Sequence, residues 1–338
     1  MIRILFTLFI SSTLFEVNAQ NINEYLLQAT SYKQKENYVE AARLLNKALE
    51  LDKNDMEVKR ELADVQYLNK KYYEAIPLYE EIIKTDDKNI VFLARLSEMY
   101  SMSPQKFKGV EYAEKVLKFK PTDGHINKMI ARTFFEVKHY PKAIEQYLIA
   151  EKALPKDMDI PYKLGLSYRK LNKFYEAMVY YIKAMELDPN NGSKIYEAAN
   201  SCYDANNYKK AVELYPLAEE KGYFKTKAFY DNWAMAYEEL RDFDNAILCY
   251  EKAKQFSPYD KDINLSLANA YMKKGEFGKS REIIDELLKI NPKDAEAIYT
   301  KGMSYYKAGN TGKAYIYFNQ AFDIDPSLKS LRYAKSNF

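Results

Sequence analysis

The chain has 338 residues, of which 47% are hydrophobic and 29% are charged, with only ten glycines and eleven prolines. This composition excludes a mostly disordered chain, disfavours turn-rich β-sandwiches and favours long helices. The 51 basic and 48 acidic residues leave a net charge of +3, so no global field attracts nucleic acid or an anionic membrane. Any charge-based recognition must therefore be local.

The first nineteen residues have the pattern of an export signal. Arg3 precedes an apolar run over residues 4–15, and Val17-Asn18-Ala19 is a small-residue pattern of the kind that a signal peptidase reads. The run is about twelve residues long, whereas a bilayer span needs roughly twenty apolar residues. We therefore predict a signal peptide over residues 1–19, a mature chain that begins at Gln20, and no membrane span in that mature chain.

After the predicted signal peptide, one sequence pattern recurs along the chain with a period of about 34 residues. Each copy contains a small residue that serves as its anchor. A large residue stands four positions after most anchors and another small residue stands seven positions after most of them, and this spacing marks one face of a helix. A proline twelve positions after six of the anchors predicts the helix end. The steps between anchors are equal except for one that is a single residue longer, and the anchors are Ala41, Ala75, Gly109, Ala143, Ala177, Ala211, Ala246, Ser280 and Ala314.

A second helical pattern precedes each anchor. A small residue lies twelve positions before every anchor, as at Ala29, Ala63 and Gly165, and usually an aromatic residue follows three positions later. The polar stretches between the two patterns are short enough to predict antiparallel helix hairpins. Small residues that face each other let the two helices approach closely.

These residues resemble the tetratricopeptide repeat, with its small, aromatic and proline positions in nine consecutive units. The resemblance implies an all-α fold, a right-handed α-α superhelix of about nine hairpins over residues 20–326, followed by a capping helix over residues 327–338. The one extra residue falls between Ala218 and Ala234, so we predict a longer connection and a change of superhelical pitch there.

The resemblance also implies a concave groove that is lined by the first helix of each repeat and binds a partner peptide or protein segment. In repeats 4 and 5 the groove positions form a basic, partly aromatic patch that suits a carboxylate or phosphate, although such charges are often only solvated. In repeat 7 the groove becomes acidic, and in repeats 8 and 9 it continues through tyrosine and methionine residues. The predicted contact residues are His125, Lys128, Arg132, Phe135, Tyr162, Arg169, Lys170, Tyr196, Asn200, Tyr203, Asp231 and Glu238.

The carboxylate clamp, a known ligand site of this family, is incomplete in the sequence. Asn200 stands at a clamp-type position, but Tyr196 occupies the place where the clamp needs a lysine. We therefore do not expect binding of a chaperone tail.

Catalytic and metal-binding patterns are not recognisable in the sequence. The two histidines, His125 and His139, fit no catalytic motif, and Cys202 and Cys249 fit no metal-ligand spacing. We predict no enzyme activity, metal or cofactor, and two cysteines that do not pair. Trp233, which precedes the small residue Ala234, is expected in the core between repeats.

The sequence thus predicts a non-catalytic protein–protein interaction scaffold in an exported compartment, either the periplasm or the periplasmic face of the outer membrane. The export signal and the Tyr-, Lys- and Asn-rich usage resemble those of Bacteroidetes envelope proteins, in which such arrays belong to assembly or secretion complexes. The alternative is a substrate-recruiting region of a larger enzyme or of a peptidoglycan-anchored multidomain protein. Nucleic-acid binding is disfavoured by the near-zero net charge.

Overall fold

The computed structural model describes residues 19–330, which form eighteen α-helices and no strand. The predicted signal peptide over residues 1–19, apart from its last residue, and most of the predicted cap over residues 327–338 lie outside the described residues. The chain divides into two compact units, Met1–Pro155 and Lys156–Phe338. The predicted all-α fold of consecutive helix hairpins is confirmed.

The first unit contains four hairpins. Their helices are α1 (19–34), α2 (Tyr38–Leu51), α3 (Met56–Leu68), α4 (Tyr72–Ile82), α5 (Ile90–Ser101), α6 (Lys106–Leu117), α7 (Gly124–Glu136) and α8 (Tyr140–Ala153).

The described part of the second unit contains five hairpins, which are followed by a 3-10 turn at Pro326–Leu328. Its helices are α9 (Asp159–Lys170), α10 (Phe174–Leu187), α11 (Gly192–Asp204), α12 (Tyr208–Glu220), α13 (Lys227–Glu239), α14 (Phe243–Phe256), α15 (Lys261–Lys274), α16 (Phe277–Ile290), α17 (Ala295–Lys307) and α18 (Thr311–Ile324).

Tight turns join the two helices of eight hairpins, each with one residue in the left-handed region of backbone space. At Lys70 the φ angle is +59°, and the next residue, Lys71, donates its N–H to the carbonyl oxygen of Gln66 at 2.9 Å. In the same way, the backbone N–H of Asn207 donates to the carbonyl oxygen of Cys202 at 2.8 Å. These bonds satisfy carbonyl groups that the helix end leaves open. Among the hairpins of residues 19–330, only the third has a turn that is built differently, over residues 102–105.

Small residues at the helix crossings leave room for the large residue that lies four positions after most anchors. A Cβ atom on Gly165 would lie 3.0 Å from the ring of Tyr181, and one on Gly302 would lie 2.7 Å from the ring of Phe318. The tyrosines at this position are the largest fully buried side chains of the described chain: Tyr79, Tyr147, Tyr181, Tyr215 and Tyr250. The small and large residues of the repeat therefore fit together within each hairpin.

Two of these buried tyrosines tie one repeat to the next through their hydroxyl groups. Tyr79 donates to Asp64 of its own repeat at 2.5 Å and accepts from Arg95 of the next repeat at 2.6 Å. In the second unit Tyr215 donates to Asn200 at 2.8 Å, and Asn200 also accepts from Asn232 of the next repeat at 3.2 Å. Each bonded set therefore takes two helices from one repeat and one helix from its neighbour.

The predicted extra residue lies in the connection between α12 and α13. This connection spans residues 221–226, whereas the others between repeats in the second unit span only 188–191, 257–260 and 291–294. In the first unit, however, the connection over residues 83–89 is longer still. The connection after α12 is fixed by Gly222, with φ of +81°, and by Tyr223, whose ring stacks on Tyr196 with 4.1 Å between ring centroids.

Candidate functional site

Three cavities of the described chain are lined mainly by residues from the first helices of consecutive repeats. The first, here the repeat 3–4 cavity, has a volume of about 440 Å³ and lies in the first unit. It brings together three of the predicted contact residues with others from α5 and α7 and one from α6. Its lining is Glu98, Ser101, Met102, Lys106, His125, Lys128, Met129, Arg132, Thr133 and Glu136.

The repeat 3–4 cavity is less basic than its sequence suggests. Arg132 Nε lies 3.1 Å from Glu136 Oε1, and Lys106 also forms an ion pair with Glu136. The hydrogen bond from Lys106 is the largest cause that lowers the pKa of Glu136, so this carboxylate stays charged at neutral pH. A second carboxylate, Glu98, accepts a hydrogen bond from Tyr67 at 2.5 Å.

Two of the predicted residues of repeat 4 lie at opposite ends of α7. His125 is exposed in the first turn, where its backbone N–H donates to Asp123. Phe135 lies near the other end, with its ring centroid 5.7 Å from that of Tyr140. The residues of the patch predicted across repeats 4 and 5 are divided between the two compact units.

In the second unit, the repeat 5–7 cavity has a volume of about 160 Å³ and contains three predicted residues. Arg169 reaches it from α9 but is paired there, with Nε 3.0 Å from Asp204 and Nη1 3.4 Å from Glu197. Burial opposes the charge of Arg169, yet the neighbouring carboxylates outweigh burial and raise its pKa. The predicted basic character is therefore neutralised at this point. The lining is Arg169, Asn200, Tyr203, Asp204, Tyr215, Asn232 and Met235.

Tyr196 and Asn200 are engaged in contacts between repeats. The amide of Asn232 donates to the Tyr196 hydroxyl at 2.9 Å and to Asn200 at 3.2 Å. The Tyr196 ring stacks on Tyr223 and lies 5.7 Å from Phe229. The two residues that the clamp comparison singled out thus hold α11 against α13.

The remaining predicted residues of repeats 5 and 7 have varied surroundings. Tyr162 packs its ring edge against Tyr181, with 5.7 Å between centroids, and Lys170 is exposed at the end of α9. Burial raises the pKa of Asp231, and the nearby ammonium group of Lys227 opposes that rise. These residues therefore do not form one continuous patch of a single charge.

The repeat 7–9 cavity, about 490 Å³ in volume, unites the acidic residue Glu238 with the tyrosine and methionine residues expected in repeats 8 and 9. Glu238 Oε2 lies 3.2 Å from Lys273 Nζ, while its buried Oε1 has no hydrogen-bond partner in the described part of the chain. Every residue of the lining comes from a first helix. These residues are Glu238, Ser266, Asn269, Met272, Lys273, Glu296, Tyr299, Thr300, Met303 and Lys307.

Sequence reasoning missed several lining residues. Glu136 could have been predicted as a lining residue, because it lies four positions after Arg132 on the same helix and therefore on the same face. Asn232 and Asp204 gave no such signal, since their partners come from other repeats. Cross-repeat pairing depends on the packing of hairpins, which residue spacing within one helix does not specify.

Neither cysteine is available for simple thiol chemistry. Cys202 and Cys249 are both free, as predicted; both are also buried, and burial raises the pKa of each thiol to about 12. Trp233 is buried among Tyr215, Tyr230 and other rings, which confirms its predicted core position. Within residues 19–330 no group of metal-ligating side chains is found, and no helix there is long and apolar enough to cross a membrane.

Comparison with known proteins identifies the repeat. Sequence models of the tetratricopeptide repeat match residues 26–90, 162–191, 238–303 and 295–328. The chain belongs to the tetratricopeptide repeat family. The presence of these repeats supports a role for the chain in protein–protein interaction.

Curated relatives of this tetratricopeptide repeat chain are distant and longer. It is 21% identical to BBSome complex member BBS4 of Bos taurus over 276 residues, which cover 80% of this chain and 52% of the relative. It is 31% identical to the Hsp70-Hsp90 organising protein of Plasmodium falciparum over 138 residues, which cover 39% of this chain and 23% of that protein. The chain thus spans about half the length of the first relative and less of the second.

Solved structures share the fold of this tetratricopeptide repeat chain. The C-terminal part of a TPR repeat-containing protein from Cytophaga hutchinsonii matches with a TM-score of 0.56 at 19% identity, covering 72% of this chain and 99% of that one. A chain in the structure of Naa15/Naa10 bound to HypK-THB matches with a TM-score of 0.51 at 11% identity, covering 90% of this chain and 64% of that one. At these identities the likeness concerns the fold.

Proposed function

We propose that the protein is a non-catalytic scaffold that binds a segment of a partner protein along the first-helix face of its repeats. The observation that carries this proposal is that three cavities are lined almost entirely by first helices, with Lys106 and Tyr215 as the exceptions among residues that belong to helices. Most of the predicted contact residues lie in or beside these cavities.

The repeat 7–9 cavity is the best candidate for a peptide contact. Met272, Met303 and Tyr299 offer apolar surface that adapts to a partner or buries area at modest entropic cost. Glu238 has one carboxylate oxygen without a hydrogen-bond partner among the described residues, and this oxygen can accept a bond from a donor on the ligand. A partner segment that combines an apolar side chain with an N–H or ammonium donor fits this lining.

Site-specific photo-crosslinking in cells tests this proposal. A benzophenone amino acid replaces Met303 or Lys273 in the cavity and, as matched outer controls, Leu248 or Tyr259, which are exposed large residues outside its lining. We expect a discrete adduct from the cavity positions and none from the controls. Adducts only at the outer positions, or equal adducts at all four, would contradict binding along the first-helix face.

We further propose that the scaffold works outside the cytoplasm, in an envelope assembly or secretion complex, without nucleic acid as a partner. The support is the export pattern around Arg3 and Ala19 together with the near-neutral net charge. Intact-mass measurement of the protein from the envelope fraction should find a chain that begins at Gln20. A chain that retains residues 1–19, or one found only in the cytoplasm, contradicts this location.

A further inference from the structure

The hairpin turns of the first unit lie along one edge. Its first helices run side by side in the same direction, because equivalent regions of neighbouring helices are bonded to each other. Lys33 of α1 lies 2.9 Å from Glu61 of α3, and Tyr67 of α3 donates to Glu98 of α5 at 2.5 Å. The turns that follow these helices therefore form a common edge. We call residues 35–40, 69–74, 102–108 and 137–142 the turn edge.

Large apolar side chains project from this turn edge into solvent. Val39, Tyr73 and Phe107 are each the second residue of a second helix, spaced one repeat length apart, and they are 63%, 80% and 53% exposed. Met102 and Val137, also on the turn edge, are exposed as well. Such exposure shows that these side chains protrude from the hairpin tips. A set of protruding apolar side chains of this kind is typical of an interaction surface.

The fold itself does not require apolar residues at this position. In the second unit the equivalent residue is aromatic only at Tyr175, and in the following four hairpins it is Lys209, Asp244, Gly278 and Gly312. Those hairpins form the same turns with polar or small residues. The apolar row of the first unit therefore calls for an explanation other than folding.

Lysines surround the protruding side chains. The turn edge contains seven lysines and three glutamates, a net charge of +4, compared with +3 for the whole chain. Lys106 and Lys108 form ion pairs with glutamates, whereas the exposed Lys70, Lys71 and Lys138 form none with the described residues. The turn edge therefore combines exposed apolar side chains with a net positive charge.

We propose that the turn edge of the first unit binds the surface of an anionic lipid bilayer. Aromatic and aliphatic tips enter the interfacial region of a bilayer, while neighbouring lysines stay at the level of the anionic headgroups. A flat, deformable surface can receive side chains that project from several successive hairpins. This inference concerns a surface separate from the repeat 7–9 cavity and does not depend on the proposed partner binding.

A fluorescent probe at one tip tests the contact directly. In the full chain with Tyr73→Cys, an environment-sensitive dye labels the new thiol selectively, since Cys202 and Cys249 are buried. Phosphatidylglycerol vesicles should shift the emission of this dye to the blue, and phosphatidylcholine vesicles should not. The matched control is Tyr259→Cys, because Tyr259 is 79% exposed in the second unit and lies outside the turn edge. Equal shifts at both positions, or no shift at residue 73, would overturn the proposal.

Charge reversal supplies a second, independent readout. Replacing Lys70 and Lys71 together by glutamate should weaken co-sedimentation with phosphatidylglycerol vesicles by at least about tenfold, because lysines near an anionic surface each contribute to binding. The control replaces Lys209 and Lys210 by glutamate, which changes the net charge equally in a turn of the second unit. Circular dichroism verifies that both variants fold.

The outcomes separate the possible causes of binding. A loss confined to the Lys70/Lys71 variant supports the turn edge. An equal loss in both variants points to net charge alone, and no loss in either points to another segment such as the apolar N-terminus, so both results overturn the proposal. A dye shift at residue 73 with polyglutamate but not with vesicles would assign the edge to an acidic protein instead.

Discussion

Replacing Gly192 by alanine should destabilise the second unit, because the connection after α12 lies directly against this residue. A Cβ atom there would lie 2.6 Å from the backbone nitrogen of Tyr223, 2.8 Å from the carbonyl oxygen of Lys221 and 2.9 Å from that of Ala218. Backbone atoms cannot rotate away as the end of a flexible side chain can. The connection must instead move away from α11 as a segment.

The size of the effect follows from that movement. Ordinary van der Waals contact begins at 3.4 Å, so the closest atom must retreat by about 0.8 Å. Overpacking of this kind costs about 1–3 kcal/mol, and the better helix propensity of alanine offsets at most about 1 kcal/mol. The difference between these two ranges is about 0–3 kcal/mol, and its middle part, about 1–2 kcal/mol, is the expected net loss. For a unit of this size it lowers the Tm by roughly 2–8 °C.

Thermal unfolding followed by circular dichroism measures this loss, with Gly278→Ala as the matched control. Gly278 also lies in the first turn of a helix of the second unit, but a Cβ atom there meets nothing within 4 Å. The control should therefore be neutral or raise the Tm slightly. If both variants have the same Tm as the wild type or a higher one, the connection is not packed on α11 as described.

Three further predictions concern packing, thiols and pH. Ala177→Leu should overfill a fully buried site and lower the free energy of unfolding by about 1–3 kcal/mol, and an unchanged Tm would show that the site has room. A thiol reagent at pH 8 should leave Cys202 and Cys249 unmodified in the folded chain and titrate two thiols after denaturation, while rapid reaction of the native protein would contradict their burial. The Lys227 hydrogen bond lowers the pKa of Asp260 in the folded state. The stability that the ionised Asp260 carboxylate contributes is therefore present above its unfolded pKa of about 4, and it is lost as the pH falls through the folded pKa. Asp260→Asn should accordingly lower the urea midpoint at pH 7, and this difference should shrink below about pH 4; a difference that stays constant with pH would refute the charge-based explanation.

The hairpin fold was predictable because the residues that specify it lie within one repeat. A small residue such as Gly165 returns in each repeat, most repeats also carry a buried aromatic such as Tyr181, and the spacing alone reveals both helices. The anchor Ala177 is fully buried, as its small size and position suggested. Local patterns of this kind are sufficient to specify helices and hairpins.

The charge of the candidate surface was less predictable, because it depends on partners from neighbouring repeats. Arg169 looked like part of a basic patch, but Glu197 and Asp204 of α11 neutralise it. Tyr196 and Asn200 occupied groove positions, yet both accept hydrogen bonds from Asn232 of the following repeat. Only the packed arrangement of hairpins reveals which polar side chains already have a partner.

The hydroxyl bonds of the buried tyrosines affect how the array can be divided into modules for protein engineering. The Tyr79 hydroxyl accepts a hydrogen bond from Arg95, and Asn200, the partner of Tyr215, accepts one from Asn232. Each of these hydrogen-bonded groups therefore extends beyond a single repeat. A graft cut after the second helix would expose a polar group that lost its partner. A transplanted piece should therefore carry the first helix of the repeat that follows it.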